Sequence, residues 1–268
     1  MNIEEFYGND QNEQPLDRLV TDGGFCGIFR TIGCIGDSLS SGAFETLTED
    51  NVAGGLDMFD YSWGQYMARI VGCTVYNLSR GGMTAKEYCE TFADLNGFWP
   101  DKTFCQAYVI ALGVNDALNP DFIAFGSMDD ICPEDWRQNA PTFVGYYAQI
   151  IQRIKEQQPY ARFFLMTIPR EDYNEPREAL KRAHAEVLRQ MAELFENTYV
   201  LDFNRYAPEY DGVFRTHFNM GGHMNACGYL LTARMTVSYI DYIIRHHYAD
   251  FKQIPYIGTP LYFKYEKR

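Results

Sequence analysis

Four short polar segments of the chain carry the residue types that acyl transfer requires. They span 36–40, 79–84, 113–116 and 221–225, and they contribute a serine, paired glycines, an asparagine and a histidine. A serine becomes a nucleophile when a base takes its proton, and imidazole is the usual base. Glycine backbone N–H groups and a side-chain amide could hold the oxyanion that then forms. Taken singly, each segment also fits a helix cap or a turn, so the inference depends on their joint placement.

The elements between these segments alternate between strands and helices. Apolar runs and helical periodicity predict strands at 28–35, 73–78, 107–112, 162–168 and 199–203, and helices at 62–70, 84–92, 141–157, 175–195 and 225–246. This alternation favours a parallel sheet with helices on both faces. The polar segments follow the first, second, third and fifth strands. They would therefore meet at the carboxyl edge of the sheet, where such folds bind ligands.

The predicted organisation is a single domain over residues 1–268, with a core at about 28–246. Residues 1–27 form an N-terminal extension, and the tail 249–268 is expected to pack across the surface. An acidic insertion at 119–139 follows the third strand, and we expect it to form a wall or a lid of the site. The loop 204–222 is expected to shape the same pocket.

The composition is that of a globular protein with a strong negative charge. Of the 268 residues, 46% are hydrophobic, and the formal net charge is −13. Such a charge repels nucleic-acid phosphates and anionic lipid surfaces, so neither nucleic-acid binding nor membrane binding is expected. The aromatic-rich composition is compatible with a homo-oligomer, although no specific interface is indicated.

Cysteine usage and the N-terminal segment bear on cofactors and on compartment. Seven cysteines without a CxxC pair favour neither a disulfide framework nor a zinc site. No metal-binding or nucleotide-binding motif is present, so no metal and no cofactor is expected. The N-terminal segment is acidic and polar, and no long apolar run occurs. A cytoplasmic protein without signal peptide or transmembrane segment is therefore expected.

The four segments together resemble the sequence blocks of the SGNH, or GDSL-type, hydrolase family. The similar stretches are GDSLS at 36–40, NLSRGGMT at 77–84, GVND at 113–116 and HMNACGY at 223–229. The resemblance implies a flavodoxin-like three-layer α/β/α sandwich with a five-stranded parallel sheet. It places the nucleophile at Ser38 and the base at His223. It also places the oxyanion hole at the backbone of Ser38 and Gly82 and the side chain of Asn115.

The chain departs from the family pattern at one position. The family usually has an Asp three residues before the histidine, and Met220 stands there. Three interpretations stay open. A backbone carbonyl close to Met220, within 219–222, could accept the Nδ1 proton of His223 and leave a Ser–His dyad. A carboxylate from elsewhere could take the place, with Asp202, Glu209 and Asp211 as candidates. Alternatively, the protein has lost most of its activity.

The leading hypothesis is a serine esterase that cleaves short acyl groups, such as O-acetyl groups on carbohydrate, from a small-molecule or glycan ester. A non-catalytic SGNH-fold protein that binds carbohydrate or esters is the alternative, and a flavodoxin-like cofactor binder is a third. His217 lacks the neighbours of the family block, so it ranks below His223 as the base. His184 is predicted to be solvated on a surface helix.

Overall fold

The structure is a computed structural model, and it describes residues 12–47, 53–99, 103–172 and 175–256. Within these residues the strands are β1 Thr31–Gly36, β2 Ala43–Leu47, β3 Ala53–Asp57, β4 Thr74–Asn77, β5 Ala107–Ala111, β6 Arg162–Met166, β7 Thr198–Leu201, β8 Asn219–Met220 and β9 His223–Met224. The α-helices are α1 Ser38–Ser41, α2 Trp63–Val71, α3 Ala85–Glu87, α4 Ala93–Asn96, α5 Phe143–Gln157, α6 Glu175–Leu194, α7 Phe203–Tyr206, α8 Gly212–Phe218 and α9 Ala226–His246. A π-helical turn, Tyr88–Phe92, joins α3 to α4.

The central sheet contains five parallel strands in the order β4-β1-β5-β6-β7. Both β1 and β6 are buried along their whole length, because helices cover the sheet on both sides. This strand order is the flavodoxin-like one. The predicted three-layer α/β/α sandwich is therefore confirmed.

Each face of the sheet packs against its own set of helices. Helices α2 and α9 bury residues such as Trp63 and Tyr229 on one face. Helices α5 and α6, with the helical stretch from α3 to α4, fill the other face. Side-chain oxygens of Ser62, Thr142 and Asn225 accept backbone N–H groups at the starts of α2, α5 and α9. These caps satisfy donors that the first helical turn leaves without a partner.

Two antiparallel hairpins lie outside the central sheet. The first pairs β2 with β3, and the second pairs β8 with β9. The sequence did not predict the β2–β3 hairpin, whose strands are short and lack a clear alternation of apolar and polar residues. The ends of the predicted core elements differ from the observed ones by up to four residues.

The structure corrects the expectation for His184 and shows where the insertion 119–139 packs. His184 is fully buried rather than solvated, and its Nε2 lies 3.0 Å from the carbonyl oxygen of Leu112. Burial lowers the pKa of His184 to about 4, so the ring stays neutral. The insertion 119–139 packs against α5 through contacts such as the ring pair Phe125–Phe143, at 5.5 Å.

The C-terminal tail is described as far as residue 256. Its Phe251 is buried and stacks on Phe164, with ring centroids 6.4 Å apart. This part of the tail packs on the surface as expected, and 257–268 lies outside the described residues. All seven cysteines have free thiols. In the part of the chain that the structure describes, no helix is long and apolar enough to span a membrane.

Candidate active site

Ser38 lies at the turn between β1 and α1. The carboxylate of Asp37 caps this short helix by accepting the backbone N–H of Leu39 at 3.0 Å. A side chain at Gly36 would put its Cβ 2.1 Å from Ser40 Oγ, so the tight turn needs glycine there. Asp37 is buried, which raises the pKa of its carboxyl group to about 6. The turn presents Ser38 at the carboxyl edge of the sheet.

His223 opens β9 and reaches Ser38 from the far end of the sequence. Its Nε2 lies 3.0 Å from Ser38 Oγ, which is hydrogen-bonding distance. The two residues are 185 positions apart in the chain. The structure thus brings together the nucleophile and the base that the sequence indicates.

A carboxylate that the sequence did not indicate lies on the other ring nitrogen. Glu45 Oε1, on β2, is 2.7 Å from His223 Nδ1 and also accepts the N–H of Gly222 at 2.9 Å. These two hydrogen bonds lower the pKa of Glu45, so the group is ionised near neutral pH. Because a carboxylate can only accept, the imidazole proton sits on Nδ1, and Nε2 is left to accept a proton from Ser38.

This contact corrects the expectation of a backbone carbonyl at Nδ1. The Met220 side chain is 49% exposed, and Met220 pairs with His223 across the β8–β9 hairpin. No carbonyl of 219–222 accepts the Nδ1 proton, because Glu45 occupies that position. A glutamate on a separate hairpin thus stands where the family usually has an Asp.

The other carboxylates considered from the sequence lie away from His223. Asp202 is bound to the Arg189 guanidinium at 2.8 Å. Asp211 caps α8 by accepting the N–H of Phe214 at 2.8 Å. Glu209 is exposed to solvent. None of the three reaches the imidazole, because each is placed by its own local structure.

The β2–β3 hairpin and the glycine turn before His223 fit each other closely. Phe44 packs on Tyr229 with ring centroids 5.2 Å apart, and the Tyr229 hydroxyl donates to the carbonyl of Ala43 at 2.6 Å. Gly221 has a φ of +67°, and a Cβ there would lie 1.7 Å from Glu45 Oε2. The glycine therefore provides both the backbone conformation and the space that the carboxylate needs.

The predicted oxyanion-hole residues lie on the two loops that border Ser38. Gly82 adopts a φ of +73°, and a Cβ on its neighbour Gly81 would be 3.9 Å from the Cβ of Ser38. Asn115 Nδ2 donates to the carbonyl of Met83 at 3.1 Å, which ties the third loop to the second. An amide nitrogen carries two hydrogens, so Asn115 keeps a donor for a ligand.

Asp116 strengthens the same link between loops, a role that the sequence alone did not reveal. Its carboxylate accepts the N–H of Ala85 at 2.6 Å and that of Ala117 at 3.1 Å. Asp116 is fully buried, and burial raises the pKa of its carboxyl group to about 6. A buried carboxyl group held by two backbone donors fixes the position of the neighbouring Asn115.

A cavity of about 360 Å³ opens beside Ser38 and His223. Its walls come from the loops after β1, β5 and β6 and from the segment between α7 and α9. Apolar and aromatic side chains form much of the lining, among them Leu39, Trp63, Leu112, Val114, Leu118, Met166, Ile168, Pro169, Phe203 and Tyr210. The loop 204–222 shapes this cavity as expected. The insertion 119–139 contributes no lining residue, so its assignment as a wall of the site is corrected.

His217 lies outside this arrangement. Its Nδ1 is 2.8 Å from the carbonyl of Val213, within α8. The described residues contain no group of three or more His, Cys, Asp or Glu side chains that could hold a metal ion.

The chain matches the model of the GDSL-like lipase/acylhydrolase family over residues 34–231. The chain belongs to this family. The matched range includes every one of the four polar segments and both residues of the Ser38–His223 pair. This GDSL-like hydrolase is therefore an enzyme that acts on ester bonds. No curated protein matches its sequence.

Solved structures of carbohydrate esterases share the fold of this GDSL-like hydrolase. A family 2 carbohydrate esterase of Corynascus thermopiles (Myceliophthora fergusii), solved with its carbohydrate-binding domain, has a TM-score of 0.55 and 18% identity, covering 87% of this chain and 69% of that chain. A family two carbohydrate esterase of Clostridium thermocellum, in complex with cellohexaose, has a TM-score of 0.52 and 17% identity, covering 82% of this chain and 65% of its own.

Proposed function

We propose that this GDSL-like hydrolase is a serine esterase that removes short acyl groups, such as O-acetyl groups, from carbohydrate. The observation that carries the proposal is the chain of hydrogen bonds from Ser38 through His223 to Glu45 at the mouth of the cavity. Membership of the family supports the reaction class. The fold that the chain shares with carbohydrate esterases supports the choice of a glycan ester.

In the proposed reaction, Ser38 Oγ attacks the ester carbonyl carbon while its proton moves to His223 Nε2. The imidazole thereby becomes positively charged, and the carboxylate of Glu45 stabilises this form through the Nδ1–H···Oε1 hydrogen bond. The carbonyl oxygen becomes an oxyanion, for which the donors are the backbone N–H groups of Ser38 and Gly82 and the amide of Asn115.

The tetrahedral intermediate then collapses to an acyl-enzyme, which water hydrolyses. The C–O bond to the alcohol breaks, and His223 returns its proton to the departing alkoxide, which leaves the acyl group on Ser38. A water molecule next attacks this acyl-enzyme while His223 takes one of its protons. The bond between the acyl carbon and Ser38 Oγ then breaks, His223 returns its proton to Oγ, and the free acid leaves the regenerated serine. No metal or cofactor takes part in these steps.

The size and lining of the cavity fit a small acyl group joined to a sugar. A volume of about 360 Å³ exceeds an acetyl group alone and leaves room for part of the alcohol. Aromatic residues such as Trp63, Phe203 and Tyr210 lie in its walls. Glu45 gives His223 a carboxylate partner even though Met220 stands at the usual position of the Asp. The lack of an Asp at 220 is therefore no longer a reason to favour a non-catalytic binding protein.

The proposal is tested with p-nitrophenyl esters from acetyl to octanoyl and with acetylated xylo-oligosaccharides, using wild type and Ser38→Ala. We expect wild type to prefer the short esters and to release acetate from the oligosaccharides, and the variant to be inactive with an unchanged circular dichroism spectrum. Equal activity of the two proteins would refute Ser38 as nucleophile. A preference for octanoyl esters with no acetate release would refute the carbohydrate substrate.

A further inference from the structure

A second cleft lies next to the active-site cavity and is lined mainly by arginines. Its volume is about 570 Å³, and its lining residues are Arg170, Arg182, Ala183, Glu186, Arg189, Asn204 and Arg205. We call it the arginine cleft. Four guanidinium groups face one carboxylate among these residues, although the whole chain carries a formal net charge of −13. The sign of the charge is thus locally reversed.

Two of the four guanidinium groups have their charge compensated. Arg189 pairs with Asp202 at 2.8 Å and with Glu186 at 2.9 Å. Arg182 pairs with Glu175. The positive charge in the cleft that has no carboxylate partner therefore belongs to the other two arginines, Arg170 and Arg205.

Arg170 and Arg205 are exposed and lack a carboxylate partner in the described part of the chain. Arg170 donates to the carbonyl of Ala207 at 3.2 Å, and Arg205 lies over the ring of Tyr206, 5.2 Å from its centroid. A carbonyl and an aromatic ring orient a guanidinium without neutralising it. These two side chains therefore offer planar, charged donor groups to a ligand in the cleft.

The wall between the cleft and the active-site cavity is built from the loop after β6 and the start of α7. Pro169 and Phe203 line the active-site cavity. The residues that follow them in the chain, Arg170 and Asn204, line the arginine cleft. Asn204 is 7% exposed and fixes this wall, because its side chain donates to the carbonyl of Ile168 at 3.0 Å. The active-site cavity and the arginine cleft are therefore separated by neighbouring residues at two places in the chain.

We propose that the arginine cleft binds a carboxylate on the alcohol part of the substrate, so that the preferred substrate is an acylated acidic saccharide. The inference rests on the proposed function, since it concerns the substrate of the same site. A carboxylate matches the guanidinium fork, which can donate two parallel hydrogen bonds to it. A saccharide chain provides the length to connect a carboxylate in the cleft with an ester at Ser38.

The kinetic test compares acetylated oligogalacturonate, which carries carboxylates, with acetylated xylo-oligosaccharide and p-nitrophenyl acetate. The variants are Arg170→Gln and Arg205→Gln, singly and together. The control is Arg69→Gln, because Arg69 is also an exposed arginine bound to a carbonyl and a tyrosine ring, but lies on α2 outside the cleft.

We expect the double variant to lose about 10- to 100-fold in kcat/KM on the oligogalacturonate ester, mostly through KM, as for one or two charge-assisted hydrogen bonds. Activity on p-nitrophenyl acetate and activity of the Arg69→Gln control should change less than about twofold. Equal losses on the charged and the neutral oligosaccharide would overturn the proposal. So would a wild type that does not prefer the charged one.

A binding measurement separates this inference from the proposed function. Calorimetry with Ser38→Ala and unacetylated oligogalacturonate at low salt requires no turnover. Binding that the double arginine variant loses would support the cleft even if no ester were hydrolysed. Inorganic phosphate and inorganic sulfate serve as competing probes. If either binds in the cleft while oligogalacturonate does not, the carboxylate saccharide is refuted in favour of another anion.

Discussion

Replacing Glu45 by alanine removes the carboxylate from His223 and should lower kcat/KM without unfolding the protein. The interaction lost is the one that strengthens as the imidazole becomes charged, across 2.7 Å. The Glu45 side chain is 33% exposed, so solvent screens the pair. Coulomb's law then gives about 1.5 kcal/mol at the dielectric constant of water and about 3 kcal/mol at half that value.

These energies correspond to a loss of about 10- to 150-fold in kcat/KM. Misorientation of the imidazole would add to the loss. The upper limit is about 10⁴-fold, the loss in kcat that follows when the triad Asp of a serine protease is replaced by Asn. Glu45→Gln should lose less than Glu45→Ala. A glutamine oxygen held by the N–H of Gly222 still accepts the Nδ1 proton, although without the charge.

The assay determines kcat and KM separately for p-nitrophenyl acetate, with both variants and with Glu156→Ala. Glu156 is a matched control, since it is an exposed glutamate on α5 paired with Arg137 outside the active-site cavity. Without the carboxylate the imidazolium that forms in the transition state loses its stabilisation, so kcat should fall in Glu45→Ala while KM changes little. A role for Glu45 in substrate binding alone would raise KM and leave kcat unchanged.

Activity of Glu45→Ala within twofold of the Glu156→Ala control would refute the assignment of Glu45 as the residue that positions and stabilises His223. The same conclusion would follow if KM rose while kcat stayed unchanged. Thermal unfolding of each variant shows whether a loss of activity reflects a loss of folded protein.

The other predictions concern the glycine turn, the oxyanion donor and a buried histidine. Gly221→Ala should displace the carboxylate of Glu45 and reduce activity about as much as Glu45→Ala. Gly72→Ala is the control, because Gly72 also has a positive φ, +71°, but has open space around it; this variant should cost about 1 kcal/mol of stability and leave kcat/KM unchanged. Asn115→Ala should lower kcat by about 10²- to 10³-fold, and a near-normal kcat would remove Asn115 from the oxyanion hole. The pKa of His184 falls from 6.5 to about 4 on folding, so its contribution to the free energy of unfolding decreases as pH falls through this window, by at most about 3 kcal/mol. The buried carboxyl groups of Asp37 and Asp116, with pKa values raised to about 6, act in the opposite direction over the same range. The expected signal is therefore the difference in free energy of unfolding between wild type and His184→Gln, which urea titrations should show to decrease as pH falls; parallel curves would contradict it.

The sheet and the position of the site could be predicted because buried parallel strands leave a strong signal. The run at 107–112 is apolar throughout, and the observed strand Ala107–Ala111 is buried for four of its five residues. The fold then places polar segments that follow the strands at one edge. Knowing which segments follow strands was therefore enough to bring Ser38 and His223 together.

The residue at His223 Nδ1 could not be found in this way. Glu45 and Gly222 are 177 positions apart, and no local pattern marks their contact. The hairpin that carries Glu45 has a glycine-rich strand, AGGLD, which the periodicity of apolar residues does not identify. The signal that could have found it is the pair Gly221-Gly222, which gives space to a side chain from elsewhere.

Helix α6 shows a different limit of sequence patterns. Its apolar residue Leu194 is 41% exposed, while the polar residues Lys181 and His184 are fully buried. Lys181 is neutralised by Glu171 and Glu178, each 2.8 Å from its Nζ. A polar residue can be buried when partners satisfy it, and those partners come from the tertiary structure.

The most direct test of the central claim is covalent labelling with diethyl p-nitrophenyl phosphate, followed by intact-mass and peptide mass spectrometry. The reagent phosphorylates an activated serine without requiring the natural substrate. We expect one diethylphosphoryl group on Ser38 of the wild type, slower labelling in Glu45→Ala, and none in Ser38→Ala. Labelling at another residue, or ester hydrolysis that persists in a protein fully labelled at Ser38, would contradict the Ser38–His223–Glu45 site.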